Sequence, residues 1–179
     1  QRHTGASADA ITLDNSGNAT FPANVTCSGT ATGFGGGKIL QVVSTTRTDT
    51  FSENVATGSL SADALTVNIT PSNANNKIFL TAHVSMGLNN DNEVNWVFYK
   101  AGSLLTGAAG TAAGNRKSRT SAGDVRWTGT HNTTGGQYLD TAGGTSQITY
   151  SVRLGHSANG SKYVYTVSYT HLTLPTKSS

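Results

Sequence analysis

The sequence predicts an all-β protein, and three observations carry that expectation. Apolar side chains recur at every second position in several short runs, the spacing that puts them on one face of a strand. Gly, Ser, Thr and Asn make up 83 of the 179 residues, a composition rich in β-branched threonine and in turn formers. No stretch carries a helical apolar period. The form expected is an antiparallel β-sandwich, jelly-roll-like, preceded by a short extended β segment.

The charge content narrows the function classes. Only 12% of the chain is Asp, Glu, Lys or Arg, against about a quarter in an ordinary domain, and the net charge is +3. Basic residues gather only at Arg116, Lys117, Arg119 and Arg126, with Asp124 among them, too small a footprint for a nucleic-acid partner. Cys27 is the one cysteine, so neither an intrachain disulfide nor a cysteine metal cluster is available. No apolar run approaches the ~20 residues of a membrane helix, and no membrane insertion is expected.

The elements follow in order. Residues 1–32 hold Ile11 and Leu13 around polar neighbours, a "DNSGN" turn, then Ala19, Phe21, Ala23 and Val25. One or two large apolar side chains per run cannot bury enough surface to fold alone. Such a segment becomes stable when identical chains supply the missing faces, which is the logic of a thin trimeric shaft. Residues 33–37 form a glycine-rich hinge. The neighbouring "GFGGGK" fails the phosphate-loop pattern, because position 32 is Thr and position 39 is Ile. Residues 38–167 are the expected head. "KILQVVSTTR" opens it, and "ALTVNIT" sets Leu65, Val67 and Ile69 on one face before the breaker "PSNANN". "KIFLTAHVSMG" aligns Ile78, Leu80, Ala82, Val84 and Met86, and "EVNWVFYK" aligns Val94, Trp96 and Phe98. "DVRWTGTHN" is a weaker strand. "SQITYSVRLG" aligns Ile148, Tyr150, Val152 and Leu154. "HSANG" then turns the chain, and "SKYVYTVSY" is expected to pair back with Tyr163, Tyr165 and Val167 in register.

No set of residues announces catalysis or a cofactor. "GHSANG" misses the nucleophile-elbow spacing by one residue, so Ser157 reads as a turn residue. The five histidines show no metal-ligand spacing. Asp91 and Glu93 lie in a polar turn that offers oxygen ligands to a hard cation, but Asx residues are also what turns are made of. No metal and no cofactor is expected. Trp96 shares the face of Val94 and Phe98 and belongs to the core. Trp127 and Tyr138 stand in Gly- and Thr-rich surroundings and are candidates for a recognition surface, where aromatic rings stack on sugars and anchor interfaces.

Several of these runs resemble the C-terminal head common in tail-fibre-like virion proteins of tailed bacteriophages. That family shows a G-K-[V/I]-L-Q strand, an I-T-P-S turn and S-K-[I/V] opening a hydrophobic strand. Here these fall at Gly37 to Gln41, Ile69 to Ser72 and Asn76 to Ile78, with Asn76 in place of the usual Ser. "AITLDNSGNATFPANVTCSGTATG" is similar to the shaft that precedes such heads, and the resemblance covers roughly residues 8–167. Such heads usually close with a further S-x-I-T-x-x-E-[I/V] strand, absent here. "SYTHLTLPT" instead resembles a translated sequencing-library adapter from assembled environmental DNA. Residues 168–179 are therefore expected to be a non-native tail, leaving the sheet with an unpaired edge.

The resemblance implies an extracellular virion component, structural and adhesive rather than enzymatic. As a homotrimer it would present loops to a bacterial surface glycan or protein, with affinity multiplied by copy number. The contact region expected is Gly107 to Thr145, with Trp127, Tyr138, Arg116, Arg119 and Arg126 as receptor-binding residues. Two other classes remain open: a monomeric secreted carbohydrate-binding or adhesin module, and a capsule depolymerase working through a carboxylate pair.

Overall fold

A computed structural model of the chain describes residues 12–20, 39–90, 92–114, 117–126, 130–167 and 170–177. The chain divides into two compact units, residues 1–36 and 37–179. Of the first unit, the described part is a minimal hairpin, β1 (Thr12–Leu13) against β2 (Ala19–Thr20). Its turn is built by Asp14, whose carboxylate accepts from the backbone N–H of Ser16 at 2.9 Å, from that of Asn18 at 2.8 Å and from the Asn18 amide at 2.8 Å. Those bonds, the Asn18 side chain first, hold the Asp14 carboxyl below its ordinary pKa. Gly17 takes the left-handed conformation the turn requires, at φ +81°. The hinge and the rest of the shaft segment lie outside the described residues.

The second unit carries β3 (Ile39–Arg47), β4 (Phe51–Val55), β5 (Leu60–Ile69), β6 (Lys77–Leu88), β7 (Asn92–Lys100), β8 (Ser103–Leu104), β9 (Ser121–Val125), β10 (His131–Thr141), β11 (Ile148–His156), β12 (Lys162–Thr166) and β13 (Thr170–Lys177). One sheet runs β3-β13-β6-β12-β4 with β10 on the free side of β6; the other runs β5-β11-β7-β8 with β9 also on β7. Several of these strands lie end to end. β3 and β4 keep one continuous register against β13 and β12, from Thr170↔Arg47 to Thr166↔Phe51. β12 and β13 follow one another along β6, and β8 and β9 share one edge of β7. The described strands thus make eight rows, four to a sheet, all antiparallel, with the first row beside the last: the jelly-roll arrangement.

The core lies between the sheets, where strand alternation puts it. β6 contributes Ile78, Leu80, Ala82, Val84, Met86 and Leu88; β7 contributes Val94, Trp96 and Phe98; β11 contributes Ile148, Tyr150, Val152 and Leu154. Each large apolar side chain removed from water there is worth about 1.5–3 kcal/mol. Trp96 meets Phe98 edge-on at 5.0 Å, and its indole N–H donates to the Thr134 hydroxyl at 2.8 Å.

Two expectations for the end of the chain are corrected. First, "SKYVYT" does not pair back on β11. β12 crosses to the other sheet and pairs with β4 and β6, which turns Val164 and Thr166 into the core and leaves Tyr163 half exposed. Second, the expected open edge is filled, and the head runs past residue 167. β13 inserts between β3 and β6, burying Leu172 and Leu174 completely, with Thr170 and Thr176 on the same inner face. Pro175 is tolerated because the ladder accommodates it. Toward β3 it pairs with Val42, while toward β6 the pairing passes from Thr173↔Thr81 to Thr176↔Ile78 without it. On the outer face, Leu139 pairs with Phe79 and Pro175 with Val42, an apolar row across the sheet.

Candidate functional site

The sandwich has two ends. β3 begins at one of them, beside Lys77 and Lys177. At the other end four connections converge: β4–β5, β6–β7, β9–β10 and β11–β12. The β4–β5 turn closes with the Ser59 N–H on the Ala56 carbonyl at 3.0 Å and uses Gly58 at φ +76°. Thr57 donates to the Ala158 carbonyl at 2.8 Å, fastening this turn to the β11–β12 turn. Asn89 ties the β6–β7 turn to Tyr163, accepting its N–H on the side chain at 2.9 Å.

Glu93 is the hub of this end. Its carboxylate pairs with the Arg119 guanidinium, accepts from the Ser157 hydroxyl at 2.9 Å and from the Asn95 amide at 3.4 Å. Burial draws the Arg119 pKa below its ordinary value. Arg119 is brought here by the long β8–β9 connection, which folds on itself. The Gly110 N–H donates to the Arg119 carbonyl at 3.2 Å, and the Ser118 hydroxyl to the Gly110 carbonyl at 2.6 Å.

The expected receptor-binding residues are therefore distributed unevenly. Arg119 reaches the loop end but is committed to Glu93. Arg126 is exposed, one residue beyond β9 at the same end. Arg116 and Trp127 lie outside the described residues. Tyr138 is not part of this group. It sits on β10 six residues beyond Asn132, about 20 Å along the strand, half-buried against the core with its hydroxyl over Gly107. The expected contact region, Gly107 to Thr145, is not a loop system throughout. It contains β9 and the whole of β10, the latter paired residue for residue with β6 from Thr141↔Lys77 to His131↔Gly87.

The cation reading of Asp91 and Glu93 meets a competing partner. Asp91 lies outside the described residues, and Glu93 is occupied by Arg119, Ser157 and Asn95. Among the described residues no group of three or more His, Cys, Asp or Glu could hold a metal ion. Ser157 is a turn residue whose N–H donates to the Glu93 carbonyl at 3.1 Å.

Beside this hub is a cavity of about 200 Å3 lined by Gly58, Ser59, Leu60, Asn95, Leu104, Lys117, Ser118 and His156. His156 is 2% exposed, and its Nε2 lies 2.7 Å from the Val55 carbonyl oxygen. Sequence reasoning saw Lys117 only as part of a basic cluster and His156 only as the opening of a turn. No spacing rule links positions 58, 95, 117 and 156, which the topology alone brings together.

No protein-family model and no curated protein sequence matches the chain. Solved structures similar to it include those of the infectious bursal disease virus Gx strain (13% identity over 95% of this chain, TM-score 0.40) and Gt strain (10% over 93%, TM-score 0.43). A third is a subviral particle of that virus's VP2 (11% over 76%, TM-score 0.38). This chain spans 42%, 48% and 39% of those chains, less than half of each.

Proposed function

We propose that the chain is the distal part of a bacteriophage tail-fibre-like virion protein, a binding head on a short shaft. It attaches to a bacterial surface glycan or protein as a homotrimer and carries out no reaction. The observation that supports this reading is the loop end itself: Thr57 fastens the β4–β5 turn to the β11–β12 turn, Asn89 ties the β6–β7 turn to Tyr163, and Lys117 and Arg126 are exposed at the same end. A rigid, polar, weakly charged surface suits repeated weak contacts made strong by copy number. Three carboxylates of the head are weak candidates for the acid and base of a depolymerase. Asp63, Glu93 and Asp140 each accept from a cation or hydroxyl donor beside them, so none of these three stands ready as a free acid or base.

One observation favours the second reading, a monomeric secreted adhesin module. Among the described residues, both sheets of the jelly roll and the core between them are built from a single chain. Light scattering on the full chain separates the two. A mass of three chains supports the fibre reading; one chain with intact binding supports the module. Binding of labelled protein to a panel of bacterial cells tests the adhesive role common to both. Absence of binding across the panel, with release of reducing ends from capsular polysaccharide, would overturn it.

A further inference from the structure

The two outer faces of the sandwich differ in chemistry. On the sheet of β5, β11 and β7, Asp63 and Arg153 form an ion pair at 2.6 Å. The Arg153 guanidinium lies 4.0 Å from the centre of the Tyr99 ring, and the Ser151 hydroxyl donates to Asp63 at 2.8 Å. These groups satisfy one another and suit a surface in water. The other outer face belongs to β3, β13, β6 and β10. Among the described residues its outward positions along these four strands hold no Asp, Glu or Arg. Its lysines, Lys77 and Lys177, pair at the end of the sheet where β3 begins.

The large apolar side chains left exposed among the described residues, Ile39, Leu40, Val42, Phe79, Leu139 and Tyr163, all belong to strands of this second sheet. Val42 and Leu139, on the two outermost rows, are 59% and 58% exposed. Phe79 and Pro175 stand between them, so the row Leu139, Phe79, Pro175, Val42 crosses all four strands. Single apolar residues on a surface call for no explanation. A continuous apolar row on a face without acidic residues marks an interaction surface, since the centres of interfaces are depleted in charge.

The dimensions of the face point to its occupant. Strands in a sheet are about 4.8 Å apart and packed sheets about 10 Å apart, so four strands make a face about 19 Å wide. Three such faces turned toward one axis close as a triangle whose sides lie about 5.5 Å from that axis, close to half the sheet-to-sheet distance. Ten residues per strand add about 33 Å of length, so each copy offers roughly 600 Å2, on the scale of the ~800 Å2 that each partner gives to a standard interface. We propose that this face is where the head meets two further copies of itself around a three-fold axis, with the apolar row as a shared layer. Residues 1–36 lead into β3, the strand that carries Val42, so copies joined through them are held at high local concentration. The strands then run along the axis, with the loop end at the opposite end from the start of β3. The inference rests on the homotrimer reading and names the surface through which the heads associate.

The test is the solution mass of the full chain, by light scattering over a concentration series, with the row intact and with Val42→Asp and Leu139→Asp combined. The parent is expected at the mass of three chains. The double variant is expected to need about a hundredfold or more higher concentration to assemble, because like charges then face one another across the axis. Thr66→Asp, at an exposed outward position of β5, is the control and should leave the mass of three chains unchanged. Cooperative thermal unfolding checks that the variants are folded. Should the double Asp variant not fold, Val42→Thr with Leu139→Ser removes the row without adding charge, and is expected to raise the same concentration about tenfold. A parent of three chains that the folded row variants leave unchanged would overturn the face and leave the fibre reading in place, its chains joined elsewhere. A parent of one or two chains at every concentration would overturn the homotrimer and the face together.

Discussion

The phenol of Tyr150 donates a 2.6 Å hydrogen bond to the carboxylate of Asp140, and that bond joins the two sheets. Tyr150 is a fully buried residue of β11, while Asp140 belongs to β10 in the opposite sheet. The same carboxylate takes the Lys100 ammonium at 2.7 Å, and Lys100 also donates to the Thr141 carbonyl at 2.7 Å. Tyr150→Phe removes one donor and keeps the ion pair, so the cost is that of one hydrogen bond to a charged group. A loss of about 1.5–3 kcal/mol is expected, read from the urea midpoint at unchanged slope. No change in midpoint would show that the bond contributes nothing to stability.

The same bond sets an alkaline limit. Burial first, then the hydrogen bond to Asp140, pushes the Tyr150 hydroxyl pKa well above the ordinary tyrosine value. The folded state keeps the phenol neutral where the unfolded chain already ionises it. Its contribution is therefore complete below about pH 10 and declines as the pH rises beyond that. Unfolding titrations from neutral pH upward should show the parent protein losing stability more steeply than Tyr150→Phe above that point. Parallel curves would contradict the assignment.

Gly135 and Gly136 give a paired test of which face of β10 is inside. A Cβ on Gly136 would lie 2.5 Å from Trp96 Cη2 and 2.8 Å from Thr120 Cγ2, whereas on Gly135 the nearest atom is His83 Cε1 at 3.5 Å. Gly136→Ala should overpack the core by about 1–3 kcal/mol. Gly135→Ala should stay within about 0.5 kcal/mol of the parent. Thermal unfolding of the two variants decides it, and the reverse order would mean the strand faces the other way.

These glycines also explain what could be read in advance. β6, β7 and β11 were legible because each carries an uninterrupted alternate row of apolar residues, Ile78 to Met86 being the longest. β10 was not. Its inner face reads Asn132, Thr134, Gly136, Tyr138 and Asp140, because the ring of Trp96 fills the space above Gly136 and Thr134 serves its indole N–H. A strand whose core contribution is supplied by its partner leaves no period in its own sequence. β12 misled for a related reason: Tyr163 and Tyr165 alternate well, yet the smaller Val164 and Thr166 face the core. At the loop end, the pairing of Arg119 with Glu93 depends on a long connection folding back, which no local pattern encodes.

Tyr138 is expected to act through packing rather than recognition. It lies half-buried against the core, with its hydroxyl close over Gly107. Tyr138→Ala should lower stability by about 1.5–3 kcal/mol, the scale of a buried large side chain. Tyr138→Phe should fold normally and bind cells as the parent does. A Phe variant of full stability that no longer binds would return this ring to the recognition surface.

β13 carries the sharpest conflict between sequence and structure, and it can be tested by removal. Leu172 and Leu174 are 0% exposed, and β13 occupies the space between β3 and residues 77–83 of β6. A chain ended at Val167 would lose both leucines and leave two strand edges unpaired in the middle of a sheet, where exposed edges template aggregation. The shortened chain is expected to aggregate in light scattering and to show no cooperative unfolding. Leu174→Ala in the full chain should cost about 2–5 kcal/mol, since the cavity it opens is enclosed on all sides by the core. If the chain ended at Val167 instead stays soluble and unfolds cooperatively, β13 is dispensable and β3 must find its partner elsewhere. An adapter-like stretch would then be an appendage rather than the second half of the jelly roll's eighth row.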